Sequence, residues 1–198
     1  VSVIIEGGTV ISTSGAPSTG NTDPAFGVFA ASIGGSGGNG GSLNVSSGGA
    51  AGAGMFGGTG RNVTVTNNSG LISTRGAAAS AIGAFSFGGI GGSADELNAA
   101  AFIGVAARGG NGGSSGAVTV FNGGSLTTMG AAAHGIAAHS RSGVSGNGSN
   151  GTGLFYGPSG DAGESGTTGS VSVTNAGVIS TAGASAFGIH AQSLGGGT

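Results

Sequence analysis

Short apolar runs alternate with small polar residues along this chain, and the runs recur in a fixed order. The first is a V-x-V pair, at Val1/Val3, Val63/Val65, Val118/Val120 and Val171/Val173. The second is an apolar-x-Thr pair, at Ile11/Thr13, Ile72/Thr74, Leu126/Thr128 and Ile179/Thr181. The third surrounds a glycine, at Gly27, Gly83, Gly135 and Gly188. Alternation at period two with β-branched residues predicts strands. The alanine runs Ala77–Ala81 and Ala131–Ala133 are too short and too close to glycine to predict helices. Between the first and second runs lie Asn67–Gly70, Asn122–Gly124 and Asn175–Gly177. Both residue types tolerate left-handed backbone, so the chain can bend there. A second small-residue bend, such as Ala182–Ser185, follows the second run.

Three strands and their bends make one coil, and the near-constant step makes a repeat. We divide the chain at about 1–62, 63–117, 118–170 and 171–198, as one β-solenoid cut from something longer. A repeat of this length cannot bury its apolar face alone; it stacks on its neighbours. The remaining stretches, with Leu43/Val45, Phe102/Val105 and Leu154/Tyr156, are expected to form a second, less regular coil per period. The glycine runs Gly34–Gly41, Gly88–Gly92 and Gly109–Gly113 are expected to be protruding loops or tight bends.

Stacked coils place like residues over like, about 4.8 Å apart. Ile11, Ile72, Leu126 and Ile179 then form a core ladder, and Asn67, Asn122 and Asn175 a side-chain amide ladder at a bend. Aligning the four core glycines gives inward columns Phe26/Ile82/His134/Phe187, Val28/Ala84/Ile136/Ile189 and Ala30/Ser86/Ala138/Ala191. The outward columns are Phe29/Phe85/Ala137/His190 and Ala31/Phe87/His139/Gln192. Phe29, Phe85 and Phe87 thereby become a candidate contact patch, since clustered exposed rings mark contact surfaces.

Composition narrows the function classes. Glycine supplies 51 of 198 residues, here as punctuation between strands. Charged residues are only 5 %, with four Arg and no Lys, and the net charge is −2. That argues against nucleic acid, which needs a basic stripe. There is no Cys, which excludes disulfides and thiolate metal sites and suits a chain that crosses a membrane unfolded. The longest apolar run, Ala99–Ala107, is shorter than the roughly 20 residues of a spanning helix, so this segment is not expected to insert in a membrane.

The string GVISTAGASAFGIHAQSLGGG, with VSVTN upstream, resembles the repeats of bacterial autotransporter passengers of the type V secretion route. The likeness covers all four units and is strongest at 171–197 and 63–89. It implies a right-handed parallel β-helix, held at the outer membrane by a barrel outside this segment and displayed at the bacterial surface. It also implies adhesion or cell–cell aggregation, with a host or bacterial surface protein, a glycan or a second copy as partner.

Candidate chemistry is sparse. The carboxylates are Glu6, Asp23, Asp95, Glu96, Asp161 and Glu164. Asp95/Glu96 and Asp161/Glu164 are the close pairs, and successive residues such as Asp95 and Glu96 point to opposite sides of a strand. His134, His139 and His190 fall in different columns, and no metal or cofactor is expected. The glycine runs lack the Asp of a calcium-binding β-roll and the Lys of a phosphate loop. The sequence therefore favours a non-catalytic adhesive stalk, with a self-assembling fibre subunit and a carbohydrate-active β-helix as alternatives.

Overall fold

The computed structural model describes residues 1–14, 25–45, 49–95, 97–99, 104–150 and 159–197. Among the expected positions, Asp23, Glu96, Phe102, Leu154 and Tyr156 lie outside them. The fold is all-β, built of parallel strands stacked coil on coil. Each coil contributes one strand to each of three four-stranded parallel sheets. The first sheet holds β1 (Ser2–Ile5), β6 (Val63–Asn67), β11 (Val118–Asn122) and β14 (Val171–Asn175). The second holds β2 (Val10–Thr13), β7 (Leu71–Thr74), β12 (Ser125–Thr128) and β15 (Val178–Thr181). The third holds β3 (Val28–Ile33), β8 (Ile82–Phe87), β13 (Ile136–Arg141) and β16 (Ile189–Leu194).

The register puts Val65 beside Val3 and Val120, and Val173 beside Val120. Ile72 sits between Ile11 and Leu126, and Leu126 is followed by Ile179. These residues, with Val63, Val118, Ile82 and Ile136, fill a narrow core closed by Ala84 and Ala138. One bend strains the backbone in the second, third and fourth coils: Ala78, Ala132 and Ser185 have φ near 55° (53°, 53° and 56°). Thr74 and Thr128 hold two of these bends, their buried hydroxyls donating to the carbonyls of Ala79 and Ala133. A threonine that looks like a core residue by parity is thus a bend clamp.

The third sheet corrects the glycine alignment. Val28 pairs with Ile82, so Gly27 stands over Ala81, and Gly83 pairs with Phe29. The second copy is displaced by two residues from the alignment on Gly83. A slip of two preserves which face each residue takes. It does change the neighbours: Phe85 pairs with Ala31 and His139, and Phe87 with Ile33 and Arg141. It also brings Ser32, Ser86, Ser140 and Ser193 into one row.

Each of the first three periods holds one coil and a glycine arm, not two coils. From the end of β3 the chain runs out along Gly34–Gly41 and reaches β4 (Leu43–Val45) and β5 (Gly49–Ala50). It returns antiparallel to itself, with Gly52, Met55 and Gly58 donating to Gly41, Gly38 and Gly35. The next arm places β9 (Leu97–Ala99) and β10 (Gly104–Val105) parallel to β4 and β5. The glycine runs do project from the coil, but they are neither loose loops nor tight bends. Gly34, Gly37 and Gly40 donate to Phe87, Ile90 and Ser93 of the following coil, and Gly88 and Gly91 donate to Arg141 and Val144. Donation repeating every third residue is the mark of a threefold polyproline-II-like helix. Returning and outgoing arms are also knitted across: Gly89 donates to Gly58, Gly113 to Gly89, and Gly143 to Gly113.

Such packing leaves no space for a side chain at either glycine of the inner triplets, as at Gly88 and Gly89 or Gly112 and Gly113, whereas on the first outgoing arm Gly34, Gly37 and Gly40 are closed and Gly35, Gly38 and Gly41 face open space. A Cβ added at Gly113 would fall on the carbonyl of Gly58, and one at Gly143 on that of Gly89. The third position points out, and its amide is often capped by the coil before. Asn39 Oδ1 accepts from Ser93 N–H (3.0 Å), and Ser93 Oγ accepts from Asn147 N–H (3.3 Å). Asn111 and Ser114 do the same for Glu164 and Thr167. The serine row fastens arm to coil, since Ser86 Oγ donates to Arg61 O (3.0 Å) and accepts from Gly116 N–H (2.8 Å).

Gly113→Ala is therefore expected to cost about 2 kcal/mol by overpacking. Gly35→Ala, where an added Cβ meets nothing within 4 Å, is expected to stay within about 0.5 kcal/mol of the parent. Chemical denaturation of both variants checks this, and equal losses would contradict the packed-arm description.

Candidate functional site

One buried polar line of the molecule is the amide ladder. Asn67 Nδ2 donates to Asn122 Oδ1 (2.8 Å), and Asn122 Nδ2 donates to Asn175 Oδ1 (2.7 Å). Each amide also donates to the carbonyl closing its own bend, at Gly70, Gly124 and Gly177. Ile5 takes this place in the first coil, so the ladder begins at Asn67. Asn67 and Asn122 are wholly buried, and these bonds satisfy groups whose burial would otherwise be costly.

The outward face of the third sheet carries a seam of rings. Phe29 contacts Phe26 (centroids 5.2 Å) and Phe85 (5.5 Å). Phe85 meets Phe87 (5.9 Å) and His139 edge-on (5.4 Å). His139 meets His190 (4.9 Å), and His190 meets His134 (4.9 Å) and Phe187 (5.8 Å). The candidate residues Phe29, Phe85 and Phe87 thus lie in one continuous cluster across all four coils. Phe29 and Phe187 are more than half exposed, and Phe85 and Phe87 are partly buried by their neighbours.

Two expectations change here. Phe26, His134 and Phe187 do not enter the core; they precede the strands at the bend, where strand parity no longer applies, and their rings join the outer seam. The three histidines come into ring contact although they occupy different columns. Residues on adjacent columns of neighbouring coils are diagonal neighbours, within reach of long side chains. Among the described residues, no group of three or more His, Asp or Glu is placed to hold a metal ion. His139 Nε2 is buried without a hydrogen-bond partner. His134 Nδ1 accepts from Phe187 N–H (3.0 Å), which fixes that nitrogen as the unprotonated one. Burial, and then the charge of His190, hold the pKa of His134 below the ordinary imidazole value. Burial, then His190 and His134, do the same for His139.

The carboxylates among the described residues do not assemble. Glu164 and Arg108 form an exposed ion pair across the return arms (3.3 Å), a contact of small worth in water. Glu6 accepts from the Asn68 side chain in the first coil, and Asp95 and Asp161 are exposed. A shallow cavity of about 320 Å³ opens between the second and third arms, lined by Phe87, Gly88, Ile90, Arg141, Ser142, Gly143 and Val144. Sequence reasoning missed this cavity because it treated the arms as loops. The signal was the G-G-x triplet, which places Phe87, Ile90, Arg141 and Val144 on one side. No helix among the described residues is long and apolar enough to cross a membrane.

Comparison with family models, with curated proteins and with solved structures found no match. The chain is thus defined by its architecture: a β-rich, solenoid-like stack with glycine arms, an aromatic outer seam and a buried amide line.

Asn122→Ala is expected to destabilise by about 2–3 kcal/mol, because it leaves the Asn67 donor and the Asn175 acceptor without a mate. Denaturant titration checks this, and a loss under about 0.5 kcal/mol would be contrary to it. His134 and His139 set a pH dependence. Their folded pKa values lie below the unfolded one, so the unfolded chain binds more protons and stability rises with pH. Stability is expected to be full above about pH 6.5 and to decline as pH falls through the lowered folded values. Thermal melts from pH 7.5 to 5 should show this decline, and His139→Phe should flatten it; an unchanged slope would remove His139 as a cause.

Proposed function

We propose that this chain is a non-catalytic, surface-displayed stalk that mediates adhesion or self-association, a passenger segment of the bacterial autotransporter kind. Its coil is taken as a right-handed parallel β-helix, and its anchor to the outer membrane as a barrel elsewhere in the protein. The observation that carries this reading is the aromatic seam. A rigid stack offers a run of phenylalanine and histidine rings on one outer face, with Phe29 58 % exposed. Preorganised aromatic groups bind with little loss of side-chain entropy, which suits a contact surface. The partner is a surface protein, a glycan or a second copy of the chain.

Replacing Phe29, Phe85 and Phe87 together by Ser tests the reading. Adherence of chain-coated beads to bacterial cells, or their mutual aggregation, is expected to fall roughly tenfold, the scale set by losing several anchor rings. The β-type circular dichroism should persist. Unchanged adherence with intact dichroism would refute the seam as the contact surface.

A further inference from the structure

The cavity beside Phe87 has a one-sided chemistry. Its apolar lining residues are Phe87, Ile90 and Val144. Its one charged group is Arg141, which makes no ion pair among the described residues. No carboxylate lines it. A second donor is the Val144 amide. In the next row out, the corresponding amides of Ser93 and Asn147 are capped by Asn39 and Ser93. In the Val144 row the preceding arm offers Ile90, which has no acceptor, and the Val144 N–H has no partner among the described residues. Apolar walls with two donors and no acidic side chain fit a ligand that presents oxygens on a compact, partly apolar body.

The main chain narrows the class further. Gly88 N–H is bonded to Arg141 O, Gly143 N–H to Gly113 O, and Ser142 N–H to Leu194 O. The open Ile90 and Val144 amides lie on separate arms, so an extended peptide finds no continuous row of open amides to pair with, as strand addition requires. A ring-shaped ligand needs none, because it takes the phenyl face through its C–H groups and the guanidinium through a carboxylate. Farther along the same arms, Ser93 and Asn147 place polar side chains at the outward position.

We infer that this cavity is a subsite for a carboxylated sugar, of the uronic or sialic kind, within a surface glycan. This rests on the adhesive reading and gives it a ligand class: Arg141 and the Val144 amide hold the carboxylate, and Phe87 supports the sugar ring.

Titration calorimetry of the whole chain at low salt tests it, with oligogalacturonate and sialyllactose as probes. Methyl-esterified oligogalacturonate, lactose and polyglutamate serve as comparators. At least one acidic sugar is expected to bind, roughly tenfold or more tighter than its neutral counterpart, as loss of a charge-assisted pair implies. Arg141→Gln should remove that difference, and Phe87→Ser should weaken acidic and neutral sugars alike. Arg108→Gln, which breaks the ion pair on the return arms, should change nothing; equal losses in the two Arg variants would indicate a general charge effect and overturn the subsite. Binding of neither acidic sugar, or equal binding of acid and ester, overturns it too. Polyglutamate held as tightly as the sugar, and lost with Arg141→Gln, reassigns the cavity to acidic peptide and also overturns it. Bead adherence of the same samples separates the two claims: adherence without acidic-sugar binding rejects the subsite and keeps the adhesive reading, whereas sugar binding without adherence does the reverse.

Discussion

Hydrogen bonds between one coil and the next are the constraint on which this molecule depends. The core is thin, with valine and isoleucine rungs closed by alanine, and the charge content offers little surface pairing. Cohesion along the stack comes from three parallel sheets and from the arms, in which glycine amides donate to the arm above or beside them. Because each layer bonds to its neighbours, a residue at one place in the coil decides what is tolerated at the same place in the next. That rule explains the amide ladder, the serine row and the glycine triplets together. Each is a column in which one residue type satisfies the polar groups, or leaves the space, that the adjacent layer requires.

The surface follows from the same rule. A column repeated up a stack becomes a stripe, and the outer stripe of the third sheet is aromatic. The rings of Phe29, Phe85, His139 and His190 touch because their backbones are held a rung apart, and at His139 burial and then the charge of His190 hold the pKa down. The seam continues onto the outgoing arms through Phe87 and Ile90, where the cavity lies. Sheet and arm thus present one face.

Much of the coil was legible in the sequence. The V-x-V and apolar-x-Thr pairs, with asparagine between, locate the first two sheets in register, where Ile72 pairs with Leu126 and Asn67 bonds to Asn122. The third sheet was read two residues out of step in the second copy. Gly83 attracted the alignment, although Ala81 holds the place of the other glycines, where little room exists for any side chain. The arms were not recognised, because glycine carries no hydrophobic pattern and period-two reasoning is blind to a threefold helix. The triplets GGSGGNGGS and GGNGGS held the missing information as a spacing of three. The histidine contacts were hidden for a different reason: diagonal neighbours between columns cannot be seen until the register is known.

Amide hydrogen exchange followed by NMR tests the layered hydrogen bonding most directly. The account predicts that the N–H groups of Gly58, Gly89, Gly113 and Gly143 exchange as slowly as those of Val65 and Val120 in the first sheet. Exchange of these glycine amides at the rate of an open chain, while the valines stay protected, would contradict it.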